Sequence, residues 1–358
     1  MKAFLGFENG VALVGEGFGA EKSAFGELVF ATPFTGYVEA LTDASYNGQI
    51  LLFTYPLVGN YGVDHERCQS AGIQAEGFVI RELCEYPAKQ GLLGEFLKDQ
   101  GVPGIYDVDT RMITIMIRDH GAMRASLLHA NIGDTEGMEK AVDLARRSPH
   151  IGSLDLVSEV TCAEPYRILG AGKRFVVMDF GVKRNTLRNL ERRNVDIVVV
   201  PADTSAQEIM NLEPDALLLS NGPGDPIQAA NGITVVRELV GQLPIFGICL
   251  GHQLIALALG GETYKLKFGH RGANQPVMDL RKNVVYITAQ NHGYAVRYCE
   301  HEGTAITQVN ANDGTVEAME NEHLGIMSVQ YHPEQSPGPH DLEKPFFDHI
   351  TEAAKRKM

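Results

Sequence analysis

Long apolar segments are absent from this sequence. No run approaches the roughly 18 consecutive apolar residues that a membrane-spanning helix needs, and the opening MKAFLGFENG lacks the apolar stretch of a secretory signal. Cysteine is scarce and never forms a Cys-x-x-Cys pair; the five occur at positions 68, 84, 162, 249 and 299. Neither a disulfide framework nor a structural zinc site is indicated. We therefore expect a soluble, reduced, cytoplasmic protein in which a thiol can stay free.

Positive charge and nucleotide-binding motifs are also scarce. Lysine and arginine number 31 against 45 aspartates and glutamates, a formal net charge of −14, which argues against a nucleic-acid partner. The sequence has neither a Gly-x-x-x-x-Gly-Lys-Ser/Thr phosphate loop nor a His-Glu-x-x-His zinc motif. A relaxed dinucleotide fingerprint, Gly15-x-Gly17-x-x-Ala20, leads into a strand-like stretch instead of a helix. We accordingly predict no metal ligands and no cofactor in this chain.

The length of 358 residues exceeds one typical domain, and the hydrophobic content of 44% suffices for substantial cores. A stretch with Ser, Pro and Gly and little periodicity, from about residue 148 to 172, indicates the boundary. We predict an N-terminal mixed β/α domain over 1–150, a linker over 151–172 and a second domain over 173–358. In the first domain the clearest helix lies at 109–121, between an aspartate N-cap and a glycine stop.

The second half alternates apolar runs with helical patterns. FVVMDF, DIVVV, ALLLS and PIFGI are continuous apolar runs rich in β-branched residues, and NTLRNLERRN and ITVVRELVGQ between them have helical character. Such alternation predicts an open, mostly parallel sheet with helices on both faces. The fold class is therefore α/β.

Cys249 lies in the pattern Gly247-Ile-Cys-Leu-Gly251, entered from an apolar run and followed by the helix-like HQLIALALGG. Gly-x-nucleophile-x-Gly at a strand-to-helix turn is typical of a nucleophile elbow, and a helix N-terminus favours a thiolate. On this segment alone, a buried structural cysteine remains as good an explanation.

A thiol nucleophile needs a base and a group that orients the base. The segment YHPE supplies His332 and Glu334, whose side chains point the same way across an extended chain. The segment LLLSNGPGDP at 217–226 runs from a strand into a turn that exposes backbone N–H groups, as an oxyanion site requires. Taken singly, these segments are equally compatible with a solvated loop and a plain turn.

Together, FGICLGHQ, LSNGPGDP and YHPE resemble the class I, triad-type glutamine amidotransferases over about 172–350. The resemblance implies that Cys249 attacks the glutamine side-chain amide, that His332 moves protons and that Glu334 orients the histidine. It also implies an oxyanion hole made by the backbone N–H groups of Leu250 and Gly224.

The resemblance extends to the small, glutaminase subunits of carbamoyl-phosphate synthase, through KFGHRGANQPV, TAQNHGYAV and MDFGVKRNTLRNL. In the first half, GELVFATPFTGYVEALTDASYNGQI is similar to the N-terminal domain of those subunits. The resemblance implies these glutamine-binding residues: Ser45, Gly222, Gly224, Leu250, Gln253, Asn291, Gly293 and Tyr294. It further implies that ammonia passes to a large synthetase subunit, which binds ATP and magnesium and makes carbamoyl phosphate for pyrimidine or arginine synthesis.

Two alternatives stay open at this point. A glutaminase serving a different synthase, or a related thiol hydrolase, would use the same cysteine, histidine and glutamate, although the first half argues against it. A non-catalytic scaffold that binds a large partner would have no chemical reason to carry all three groups.

Overall fold

The computed structural model describes residues 1–89, 91–299, 301–335 and 337–355. The chain forms two compact units, Met1–Leu154 and Asp155–Met358. No described helix has both the length and the apolar character needed to cross a membrane.

The first unit is built around a closed barrel. Its strands are β1 (Lys2–Phe7), β2 (Ala12–Gly19), β3 (Ala24–Ala31), β4 (Gln49–Phe53), β5 (Leu57–Val58), β6 (Gly77–Val79), β7 (Glu82–Leu83), β8 (Pro103–Tyr106) and β9 (Met123–His129). The barrel has the order β1-β2-β8-β6-β4-β3-β9, and β5 pairs with β7 in a separate small sheet. The helices are α1 (Tyr37–Leu41), α2 (Leu93–Asp99), α3 (Thr110–His120) and α4 (Asp134–Arg147), with short 3-10 turns at Ala44–Tyr46, His65–Arg67 and Ile151–Ser153.

Helix α3 confirms the predicted helix at 109–121. The Asp109 side chain accepts a hydrogen bond from the Met112 N–H, which satisfies one of the free donors of the first turn. Gly121 ends the helix at φ 98°, a conformation that favours glycine. The glycines of the relaxed dinucleotide fingerprint lie in β2, and the chain continues into β3, the strand-like course that the pattern predicted.

The second unit contains a ten-stranded sheet. Its strands are β10 (Tyr166–Ile168), β11 (Arg174–Asp179), β12 (Asp196–Pro201), β13 (Ala216–Leu219), β14 (Ile245–Ile248), β15 (Glu262–Asp279), β16 (Val284–Tyr298), β17 (Ala305–Asn310), β18 (Val316–Asn321) and β19 (Ile326–Val329). The helices are α5 (Val157–Val160), α6 (Arg184–Glu191), α7 (Ala206–Asn211), α8 (Ala230–Leu239), α9 (Leu250–Ala258) and α10 (Glu343–Ala353), with a 3-10 turn at Pro226–Gln228.

The strand order is β10-β12-β11-β13-β14-β19-β18-β17-β15-β16. Strands β12, β11, β13, β14 and β19 pair in parallel, whereas β19-β18-β17-β15-β16 is an antiparallel series. The predicted apolar runs form the parallel strands, and their side chains are almost wholly buried because helices cover both faces. In such sheets ligands bind beyond the carboxyl ends of the strands, where β11, β13, β14 and β19 all end close to one another.

The stretch 151–172, predicted to be a linker, contains ordered elements. It holds α5 and β10, and β10 pairs antiparallel with β12 at the edge of the large sheet. The linker assignment is therefore wrong in that part. Three strand residues with largely exposed side chains are too few to show an alternating pattern in the sequence.

Candidate active site

Cys249 occupies the sharp turn between β14 and α9. Its backbone has φ 54° and ψ −102°, a conformation that costs a residue with a side chain on the order of 1–3 kcal/mol. The turn is held by the Cys249 N–H, which donates to the Val329 carbonyl of β19 at 2.8 Å. The thiol is thus placed at the N-terminus of a helix, where a negative charge is stabilised.

The glycines on either side of the cysteine are required by close packing. A Cβ at Gly247 would lie 2.6 Å from the carbonyl carbon of Gly251, and a Cβ at Gly251 would lie 2.3 Å from the Leu219 carbonyl oxygen. The backbones of the strand, the turn and the helix are therefore in direct contact, as the Gly-x-Cys-x-Gly pattern predicted.

His332 and Glu334 follow β19, the strand next to β14. His332 Nδ1 donates to Glu334 Oε1 at 2.6 Å, and both side chains are buried. The His332 backbone N–H is fixed by the Ala289 carbonyl of β16 at 2.9 Å. The segment is a turn and not the extended chain that the sequence analysis predicted, because the Gln335 N–H donates to the His332 carbonyl at 3.2 Å. The turn nevertheless brings the two side chains into contact.

The second ring nitrogen of His332, Nε2, is buried and has no hydrogen-bond partner among the described residues. Burial and the nearby Lys183 charge lower the pKa of His332, but the Glu334 carboxylate and Cys249 outweigh them and raise it to about 10. Burial raises the pKa of Glu334, and the cations His332 and Lys183 more than reverse this, so it lies below its usual value. The site thus favours an imidazolium between a carboxylate and the thiol sulfur, a polarity that activates a cysteine nucleophile.

Lys183 is a site residue that the sequence analysis missed. Its Nζ lies 3.3 Å from Glu334 Oε1, and both side chains are buried. Its backbone N–H, just before α6, donates to Asn221 Oδ1 at 3.3 Å, which ties the loop after β11 to the loop after β13. The sequence signal was a lysine in the short connection between an apolar strand and the following helix, at the edge where ligands bind.

The loop after β13 carries Gly222, predicted to bind glutamine, and Gly224, predicted to bind both glutamine and the oxyanion. Asn221 Nδ2 donates to the Gly181 carbonyl at 2.9 Å, which fixes the start of this loop. Gly222 packs so closely that an added Cβ would lie 2.3 Å from the Phe180 carbonyl oxygen and 2.7 Å from the Leu250 side chain. Gly224 has φ 83°, which favours glycine. Gly222 is therefore in contact with the start of α9.

Strand β16 passes beside the thiol. The Cys249 Sγ donates to the Asn291 carbonyl at 3.7 Å. Gln253, one turn into α9, donates through Nε2 to the Tyr294 carbonyl at 2.8 Å and to Gln330 Oε1 at 3.0 Å. The segment of β16 that Cys249 and α9 contact therefore includes Asn291, Gly293 and Tyr294.

Ser45 is the one predicted glutamine-binding residue in the first unit. It lies in the 3-10 turn Ala44–Tyr46, and its N–H donates to Asp43 Oδ1 at 3.0 Å. The other predicted residues all belong to the second unit, at the carboxyl edge of the sheet or on β16.

Comparison with known proteins gives two family matches. Residues 176–352 match the model described as glutamine amidotransferase class-I. Residues 5–127 match the model described as carbamoyl-phosphate synthase small chain, CPSase domain.

Full-length relatives agree with these matches. The carbamoyl phosphate synthase small chain of Methanosarcina mazei is 52% identical, over 98% of this chain and 98% of the relative. Those of Methanopyrus kandleri and Methanocaldococcus jannaschii are 50% and 47% identical, over 98% and 100% of this chain and 99% and 100% of the relatives. This chain belongs to the carbamoyl phosphate synthase small chain family. The resemblance read from the motifs is therefore confirmed, in both halves of the chain.

Membership of the carbamoyl phosphate synthase small chain family also confirms the predicted fold class and activity. The second unit carries the class I amidotransferase domain, and the chain is the glutaminase subunit of a glutamine-hydrolysing carbamoyl phosphate synthase. The match of the first half excludes the alternative of a glutaminase for a different synthase.

Proposed function

We propose that Cys249, His332 and Glu334 are the residues that hydrolyse glutamine in this small chain. The Cys249 sulfur attacks the side-chain amide carbon, and His332 gives a proton to the departing nitrogen, which leaves as ammonia. Water then attacks the glutamyl thioester and passes a proton to His332, releasing glutamate and the free thiol. Glu334 holds the imidazole in place. The observation that carries this proposal is the buried His332–Glu334 pair beside a cysteine at a strained turn.

We infer that the backbone N–H groups of Leu250 and Gly224 bind the oxyanion of the tetrahedral intermediates. Leu250 is the first residue of α9, and the first N–H groups of a helix have no acceptor within the helix. The positive end of the helix dipole adds to this preference for an anion. Gly224 lies at a positive φ in the loop that packs against the start of the helix.

We infer that glutamine is bound by residues of the loop after β13, of α9 and of β16. These are Gly222, Gly224, Leu250, Gln253, Asn291, Gly293 and Tyr294. The contacts of Gln253 with Tyr294 and of Cys249 with Asn291 support the assignment, because they join the nucleophile helix to β16. Ser45 is assigned to the same role on the family resemblance.

We propose that the ammonia is used by a large carbamoyl phosphate synthase subunit that binds ATP and magnesium, and that the complex works in the cytoplasm. The relatives' shared name, small chain, implies a larger partner. Direct transfer has a chemical reason, since ammonia released into water near neutral pH is protonated and loses its nucleophilicity.

The experiment is glutamine hydrolysis by the purified chain, alone and with its large subunit, beside Cys249→Ser. We expect glutamate formation that depends on Cys249, and carbamoyl phosphate formation from glutamine only in the complex. Equal hydrolysis by the Cys249→Ser variant would reject the nucleophile. If no ATP-using synthetase is recovered with the chain in a native pull-down, the partner assignment fails, whereas the glutaminase assignment stands.

A further inference from the structure

A second group of buried ionisable side chains lies on the antiparallel strands. It consists of His270 of β15, His292 of β16 and Glu317 of β18, which we call the His270 cluster. His270 and His292 are directly opposite each other across β15 and β16, and Glu317 comes from a strand that is not next to either one. One ligand atom from each residue lies within 4.8 Å of the others. The proposed hydrolysis does not use these three side chains.

The outer nitrogen of each histidine is held by an oxygen. His270 Nε2 donates to Asp313 Oδ2 at 2.9 Å, and His292 Nδ1 donates to the Tyr294 carbonyl at 2.8 Å. Metal-binding histidines almost always donate their second N–H to a carboxylate or a backbone carbonyl, which fixes the tautomer. A neutral ring fixed in this way directs the lone pair of its other nitrogen toward the centre of the cluster.

The inner nitrogens converge on oxygen atoms. His270 Nδ1 and His292 Nε2 each lie 3.0 Å from Gln290 Oε1, and His270 Nδ1 lies 3.8 Å from Glu317 Oε1. Ligand atoms of a tetrahedral zinc site, bound at about 2.0–2.1 Å, are separated by roughly 3.4 Å. The separations of 3.0 Å and 3.8 Å lie on either side of this value, and the ligand atoms of His270, His292 and Glu317 all lie within 4.8 Å of one another.

Glu317 gives an independent indication of a cation. Its side chain is wholly buried, and its Oε2 has no hydrogen-bond partner among the described residues. Its other oxygen accepts a hydrogen bond from Asn310 Nδ2 at 3.3 Å. A buried carboxylate with an unpaired oxygen is costly unless a positive charge compensates it.

We propose that His270, His292 and Glu317 bind a divalent transition metal ion, with Gln290 Oε1 as a fourth ligand. Two imidazoles and a carboxylate in a closed, four-ligand arrangement favour zinc. The ion would tie together three strands and hold β16 where Asn291 and Gly293 lie on either side of His292. Its role is structural, in support of the segment that receives glutamine.

A proton is the competing occupant. Burial lowers the pKa of His270, but the carboxylates of Glu317 and Asp313 outweigh it and raise the pKa. A proton on His270, which lies between the carboxylates of Asp313 and Glu317, is the alternative source of positive charge. The test has to separate a bound ion from this proton.

The test uses the full chain with any affinity tag removed, in a Cys249→Ser background so that the catalytic thiol cannot hold the ion. The protein is incubated with zinc, dialysed, and analysed for metal by mass spectrometry. We expect about one zinc ion per chain, and at least a tenfold lower content in Glu317→Gln and in His270→Asn. The matched control is Glu320→Gln, on the same strand, whose carboxylate pairs with Arg281 outside the cluster.

A second measurement needs no substitution in the cluster. With zinc at a hundred times its dissociation constant, the thermal midpoint of the Cys249→Ser chain should rise by about 5–10 °C. Cobalt(II) should replace zinc and give a visible spectrum of tetrahedral nitrogen and oxygen ligation without a thiolate band. The proposal is rejected if zinc is not retained and the midpoint does not rise, the result expected of a proton alone. Equal zinc in Glu317→Gln and Glu320→Gln would also reject it.

Discussion

The two halves of the ten-stranded sheet support the candidate site in different ways. The parallel strands β11, β13 and β14 bury apolar side chains and hold Cys249 by backbone packing, with no room for a side chain at Gly247 or Gly251. The antiparallel strands bury polar side chains instead. In β16, residues 288–292 are all buried, and Ala289 is the one apolar residue among them. The comparison teaches that the nucleophile is positioned sterically, whereas its surroundings are positioned by hydrogen bonds.

The largest effect is expected from breaking the packing of the parallel half. Gly251→Ala places a Cβ 2.3 Å from the Leu219 carbonyl oxygen, so that backbone atoms have to move. Misplacing the nucleophile by about 1 Å costs on the order of 100-fold, and overpacking costs about 1–3 kcal/mol of stability. We expect glutaminase activity to fall by at least about 100-fold, together with the thermal midpoint. Gly133→Ala is the control, because an added Cβ there meets nothing within 4 Å; equal losses in both would contradict the packing argument.

The next prediction concerns Glu334 and Lys183, the two charged residues that act on the pKa of His332. Glu334 raises the pKa of His332 and Lys183 lowers it, so Glu334→Gln should lower that pKa and Lys183→Met should raise it. We expect kcat/KM to fall at high pH, where the His332 imidazolium loses its proton. This fall should occur at lower pH in Glu334→Gln and at higher pH in Lys183→Met. We expect rate losses of about 100-fold and about 10-fold. The pH profiles of kcat/KM measure both shifts.

The control for this pair is Lys173→Met, because Lys173 pairs with Asp215 at a partly exposed position away from the triad. Its pH profile should match that of the wild type. Shifts in the same direction for Glu334→Gln and Lys183→Met would contradict the opposing roles given to the two charges.

A smaller effect is expected from cutting the hydrogen bonds between α9 and β16. Gln253→Leu removes the donor to the partly buried Tyr294 carbonyl and to the buried Gln330 Oε1. We expect KM for glutamine to rise by about 10-fold, equivalent to 1.4 kcal/mol, with a smaller change in kcat. Steady-state kinetics measures the two separately. Gln242→Leu, at an exposed position, should leave KM unchanged, and an unchanged KM in Gln253→Leu would remove this residue from glutamine binding.

The smallest effect is expected at the polar contact between α9 and β19. His252 Nδ1 lies 2.9 Å from Ser328 Oγ, and both are buried; burial lowers the pKa of His252 to about 3. The ring is therefore neutral, and Ser328→Ala removes one hydrogen bond worth about 1 kcal/mol. We expect the thermal midpoint to fall by about 2–4 °C and kcat to stay within threefold of wild type. Ser158→Ala, at an exposed position of α5, is the control; a loss as large there would show that the burial of the His252–Ser328 contact does not decide its contribution.

The same contrast between the halves decides what the sequence could predict. The parallel strands are continuous apolar runs, and the elbow is a local pattern, so both were predictable from neighbouring residues. The His332–Glu334 contact was also predictable, because the two residues are separated by a single proline. Each of these features depends only on residues that are close together in the sequence.

Other features depend on partners far along the chain. Lys183 was missed because lysine is rarely buried and its partner Glu334 belongs to another strand end. The buried polar residues of β16 have the composition of an exposed strand, so their burial does not show in the neighbouring sequence. The ligands of the His270 cluster come from three strands, so no spacing in the sequence brings them together.

The central claim is that Cys249 forms the glutamyl thioester. The most direct measurement is to mix the complex with isotopically labelled glutamine, quench in acid during turnover, and locate the label by peptide mass spectrometry. We predict a glutamyl adduct on Cys249 in the wild type, in an amount that rises in a burst, and no adduct in Cys249→Ser. A label on another residue, or turnover without an adduct at Cys249, would contradict the account.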